Sequence, residues 1–143
     1  MNQSSKKRKI LIVDDEQDIC TIFKDILLEY DEKSDYEVNY ATTAKEALEY
    51  LKIKPYDLIF VDIKLKGTAS GIDIIKECRG LHPMPKIVVV SAIPEKAMRA
   101  TFREEGISSV IEKYLEKKDD LLPEVIVRTI NNLFNKGEEG KGK

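Results

Sequence analysis

The stretch Lys9-Ile10-Leu11-Ile12-Val13-Asp14-Asp15-Glu16 decides the fold: a short β-branched run that stops abruptly on carboxylates. The pattern recurs in Leu58-Ile59-Phe60-Val61-Asp62 and, with a hydroxyl for the acid, in Ile87-Val88-Val89-Val90-Ser91. Runs of about four to six such residues read as strands buried on both faces, the signature of a parallel sheet. A fourth, mixed run, Val110-Ile111-Glu112, is closed by Lys113. In an open parallel sheet, ligands gather beyond the carboxyl ends of the strands. Asp14, Asp15, Asp62, Ser91 and Lys113 are therefore expected to meet in one crevice.

Between these runs lie helical patterns. Ile19, Ile22, Phe23, Ile26, Leu27 and Tyr30 recur at three- and four-residue spacing over residues 16–31. Asp15 stands where it can cap that helix. Tyr36, Val38 and Tyr40 alternate as in a half-buried strand, and Thr43 can cap a helix carrying Ala44, Ala47, Leu48 and Leu51. Pro55 breaks that helix. A third begins near Gly71 and stops before Pro83-Met84-Pro85; a fourth follows Pro94 and stops at Gly106; a fifth spans Asp119 to Asn135. Ser109 to Glu112 is the expected last strand. Strand-helix alternation five times over predicts an α/β domain with a doubly wound, five-stranded parallel sheet.

The chain has 143 residues, 35% of them charged, and a formal net charge of −2. One domain at residues 9–135 is expected, preceded by a basic N-terminal arm at 1–8 and followed by a disordered polar tail at 136–143. The charge balance argues against general attraction to nucleic acid or anionic membrane, so neither direct DNA binding nor membrane contact is expected. No stretch approaches the about 20 apolar residues that span a bilayer, and the expected location is cytoplasmic. Cys20 and Cys78 read as buried thiols rather than a disulfide, and His82, the sole histidine, as a loop residue.

Two or three carboxylates at adjacent strand ends repel one another unless a cation joins them. Hard oxygen donors suit Mg2+. Ser91 has no histidine near it in the sequence to act as base, so hydrogen bonding to a phosphoryl oxygen is its simpler role. Lys113 supplies compact positive charge, and Asp62 is the natural carboxylate nucleophile.

These four segments in order resemble the receiver domains of two-component response regulators, from Lys9 to about Asn135. The resemblance implies a flavodoxin-like (βα)5 receiver fold that takes a phosphoryl group from a phosphohistidine onto Asp62. Mg2+ would be held by Asp14, Asp15, Asp62 and the backbone carbonyl of Lys64, while Ser91 and Lys113 contact the phosphoryl group. The implied partners are a histidine kinase or histidine phosphotransfer protein and a downstream protein target. The implied domain is a signalling acceptor rather than an enzyme, with no output domain attached, acting by the surface of its last helices and final strand. Lys64 is expected to modulate the lifetime of the product. A phosphorylation-independent adaptor is the alternative.

The chain departs from the family pattern in three further respects. Tyr114 follows Lys113 where the family has Pro. Val110 stands three residues before Lys113 where the family has an aromatic. The loop Leu65 to Gly71 lacks a Pro and is one residue longer.

Overall fold

The computed structural model describes residues 7–30, 35–65 and 70–141, the side chains as far as residue 134. Five strands, β1 (Arg8–Val13), β2 (Tyr36–Ala41), β3 (Leu58–Val61), β4 (Lys86–Ser91) and β5 (Ile111–Glu116), form one sheet in the order β2-β1-β3-β4-β5. Every pairing is parallel. The helices are α1 (Gln17–Glu29), α2 (Ala44–Ile53), α3 (Gly71–Cys78), α4 (Glu95–Glu104), the four-residue α5 (Lys117–Asp120) and α6 (Pro123–Lys141). The doubly wound parallel sheet expected from the strand-helix alternation is present.

The three central strands are buried on both faces, so alternate side chains feed two cores. Leu11, Val13, Ile59, Val61, Ile87 and Val89 pack against α2, α3 and α4 through Leu51, Ile75 and Phe102. Ile10, Ile12, Leu58, Phe60, Val88 and Val90 face α1 and α6 through Phe23, Leu27, Ile126 and Ile130. Burying a side chain of this size stabilises by about 1.5–3 kcal/mol, so β1, β3 and β4 hold the fold together.

The order reverses at β1 and β3: the chain leaves β1 for β2 on one side and returns to β3 on the other. A crevice opens at such a switch point. Val13 is level with Val61, and the Asp62 N–H donates to the Val13 carbonyl at 2.9 Å. Asp14 and Asp62 are therefore neighbours by strand register.

Several local expectations hold and several are corrected. The Thr43 hydroxyl accepts the Glu46 N–H at 3.1 Å and caps α2. Gly106 ends α4 at φ +74°, a conformation that favours glycine. Asp15 does not cap α1; Glu16 holds the cap position, and the Asp14 carboxylate accepts the Glu16 N–H at 2.9 Å. The buried stripe of α1 is Cys20, Phe23 and Leu27, whereas Ile22 and Tyr30 are exposed. Residues 1–6 of the basic arm lie outside the described residues, and Arg8 already belongs to β1, its guanidinium over the Phe134 ring. The last helix is not Asp119 to Asn135: it starts at Pro123 and runs to Lys141, so residues 136–141 are helical. Residues 66–69 of the loop after Leu65 also lie outside the described residues.

The largest correction concerns β5. Ser108–Val110 is a 3-10 turn, not strand, and β5 runs from Ile111 to Glu116. Ile87 is level with Ile111 but Val88 with Lys113, so Glu112 is an extra residue that bulges the strand. Lys113 stands in mid-strand, exposed, in the groove between β5 and α6. Ser91 is level with Glu116, which puts Lys113 three residues, or about 10 Å, short of the sheet's carboxyl edge.

Candidate functional site

At that edge the residue after Glu116 is Lys117, the first residue of α5. Its ammonium reaches Asp14 Oδ2 at 2.7 Å, Asp62 Oδ2 at 3.0 Å and Glu16 Oε1 at 3.3 Å. Lys117, not Lys113, supplies the positive charge of the site. The charged Glu112-Lys113 pair mimics a strand end, but Tyr114-Leu115 continues the apolar run beyond it and is the sequence signal for a longer strand.

The acids assemble as expected. Asp14 and Asp62 are only 2% and 5% exposed, and Asp15 is half-buried. Carboxylate oxygens of Asp14, Asp15 and Asp62 lie within 4.8 Å of one another. Such a set of hard oxygen donors suits a divalent cation. The Lys117 ammonium already bridges two of the three, showing that the pocket accommodates positive charge.

Asp62 is held from two directions. Oδ2 accepts from Lys117, and Oδ1 accepts the Lys64 N–H at 3.2 Å. Burial raises the Asp62 pKa; the Lys117 hydrogen bond and charge lower it, Asp14 raises it, and the result lies above the ordinary carboxylate value. Burial opposes the Lys117 ammonium, yet the hydrogen bonds to Asp14 and Asp62 win and hold it charged well beyond the ordinary lysine range. The stem of that side chain lies half-buried while its charge is paired.

Gly71 is the backbone device that allows this packing. Its N–H donates to the Ile63 carbonyl at 3.0 Å. A Cβ at this position would stand 2.0 Å from the Asp62 carbonyl oxygen. Only glycine lets the start of α3 close on the Asp62 backbone.

Ser91 is 1% exposed at the end of β4, and its hydroxyl accepts the Ile93 N–H at 3.1 Å. Tyr114 points inward, 7% exposed, with its hydroxyl donating to the Ile93 carbonyl at 2.5 Å. Burial, partly offset by a hydrogen bond with Ser91, raises the Tyr114 pKa. Counting from Lys117, Tyr114 stands three residues earlier, where the resemblance requires an aromatic. The aromatic expected at Val110 is therefore present at Tyr114. What persists is the missing Pro: Lys118 follows Lys117.

Fold and pocket define a doubly wound α/β domain with a carboxylate cluster at its switch point. Residues 10–126 match the response regulator receiver domain family, and the chain belongs to it. The chemotaxis protein CheY of Thermotoga maritima is 40% identical over 93 residues, 64% of this chain and 72% of that protein. The regulatory protein VanR of Enterococcus faecium is 42% identical over 81 residues, 57% of this chain but only 33% of VanR. A CheY-like receiver domain from Methanospirillum hungatei superposes with TM-score 0.76 at 24% identity, covering 94% of this chain and 99% of that one. This is a response regulator receiver domain of two-component systems. Among the described residues no helix is long and apolar enough to cross a membrane.

Proposed function

We propose that this receiver accepts a phosphoryl group on Asp62 from a phosphohistidine of a histidine kinase or histidine phosphotransfer protein, and then signals in the cytoplasm by protein contact. The observation that carries this reading is the state of Asp62. It is a buried carboxylate at the centre of the sheet edge, with Lys117 on one oxygen, a backbone N–H on the other and two further acids beside it.

The Asp62 carboxylate attacks phosphorus, the P–N bond to the donor imidazole breaks, and the imidazole leaves with the electron pair. Phosphoryl transfer asks for positioning and charge stabilisation, and both are built into the chain's own residues. Lys117 lies against Asp62 Oδ2, placed to pair with an oxygen of the incoming group. Ser91, one strand away, would offer its hydroxyl proton to another phosphoryl oxygen. Asp14, Asp15 and Asp62, with the Lys64 backbone carbonyl, would hold Mg2+, which when bound offsets the negative charge of phosphoryl oxygens and carboxylates.

Incubation with acetyl phosphate and Mg2+, followed by intact-mass measurement, tests the reading. One phosphoryl-sized gain is expected in the wild-type chain and none in Asp62→Asn. No gain in the wild type, or an equal gain in Asp62→Asn, would overturn it. The adaptor alternative rested on Val110 and on the Lys113–Tyr114 step. With Tyr114 three residues before Lys117, the ground of the missing aromatic falls; the non-proline step persists, at Lys117–Lys118, and the intact acid cluster weighs against it.

A further inference from the structure

The missing Pro leaves the step after β5 to be fixed by other means, and two hydrogen bonds there belong to neither the acids nor Tyr114. The backbone N–H of Glu116 donates to Asp120 Oδ2 at 2.8 Å, which folds the short α5 back onto the strand end. The Glu116 carboxylate accepts the Glu95 N–H at 2.9 Å and so caps the first turn of α4. Glu116 has Lys117 on one side of it in the chain and holds α4 with its side chain. Tyr114, two residues earlier on the same face of β5, ties the same loop through the Ile93 carbonyl.

We infer that Glu116 is a positioning residue that fastens the start of α4 to the lysine step in the unphosphorylated state, and that phosphorylation releases it. This rests on the proposed phosphoryl chemistry at Asp62. A phosphoryl group there draws Ser91 and Lys117 toward itself. As the Ser91 side chain moves, its oxygen leaves the Ile93 N–H, which loosens the turn from Ile93 to Pro94 that presents the Glu95 N–H to Glu116. A contact made in one state alone biases the equilibrium by its own free energy and no more. Removing it should shift the population toward the phosphoryl-bound form.

The test is binding of beryllofluoride, a phosphoryl mimic, in excess Mg2+. Glu116→Ala should bind about two- to tenfold more tightly than wild type, the range set by one hydrogen bond. Glu116→Gln keeps a carbonyl acceptor and should fall close to wild type. A merely structural role would weaken the fold without tightening binding. In the wild-type chain the Glu95 amide proton resonance should move upfield on saturation as it leaves the carboxylate, a measurement that needs no variant. Unchanged or weaker binding by Glu116→Ala, or an unmoved Glu95 amide, would overturn the inference while leaving Asp62 chemistry intact. Failure of the wild type to bind the mimic would remove both.

Discussion

The carboxylates of the site stand on β1 and β3, which have neighbours on both edges and helices on both faces; the ammonium stands beyond β5, at the edge of the sheet. The two supports differ in kind. Asp14 and Asp62 are fixed by ladder hydrogen bonds from Asp14 N–H to Ala41 and from Asp62 N–H to Val13, and by the close approach of Gly71. Lys117 is fixed by what it touches: its salt bridges, the α5 turn closed by Asp120, and the ties from Tyr114 and Glu116 to the β4–α4 loop. The central half is rigid by packing and the edge half is held by polar contacts that can be exchanged. On the proposed function, a site that both grips a phosphoryl group and reports its arrival would need one half of each kind.

The sharpest way to break the rigid half is Gly71→Val. With a Cβ 2.0 Å from the Asp62 carbonyl, the chain must move there, and a loss of about 3 kcal/mol is expected in urea denaturation. A loss below about 0.5 kcal/mol would mean that this approach can relax freely.

Asp62→Asn should act in the opposite direction. Burial and the neighbouring Asp14 make the ionised Asp62 costly, and Lys117 keeps Asp14 and Glu16 as partners when it goes. A gain of about 1 kcal/mol in Mg2+-free buffer is expected. A loss would show that the Asp62–Lys117 pair outweighs the repulsion.

A smaller effect is expected at Lys64, exposed two residues after Asp62. Removing its charge in Lys64→Ala should alter the lifetime of the phosphorylated chain about two- to fivefold, as befits an exposed charge. An unaltered decay rate in Mg2+ buffer would exclude that role.

The smallest effect belongs to Cys78, buried in α3 behind the rigid half. Burial pushes its thiol up to about 12. An unfolded thiol titrates near about 8.5, so this group's contribution to stability is whole below that pH and is lost as pH rises toward about 12. At pH 8 the native thiol should resist alkylation and react only in urea. Reaction at the denatured rate would show that α3 opens readily.

The same division explains what could be read from sequence. The runs ending at Asp14, Asp62 and Ser91 are apolar throughout because those strands are covered on both faces, so each polar residue marks a true end. In β5, Ile111-Glu112-Lys113-Tyr114-Leu115-Glu116 mixes charge with apolar residues because its outer edge meets water and Glu112 bulges. Nothing in that alternation marks where the strand stops, so Lys113 and Lys117 are equally plausible strand-end lysines from sequence alone. The salt bridges of Lys117 and the tie from Glu116 to α4 join residues from 21 to 103 positions apart in sequence. No local pattern carries them.

Asp62 is served by the lysine beyond the strand, not by the lysine within it. The most direct measurement compares the rate of phosphoryl loading from acetyl phosphate in wild type, Lys113→Ala and Lys117→Ala, read by intact mass. Lys113→Ala should load like wild type, while Lys117→Ala should load about a hundredfold more slowly, as when one charge-stabilising donor is removed. Slow loading by Lys113→Ala together with normal loading by Lys117→Ala would contradict the account.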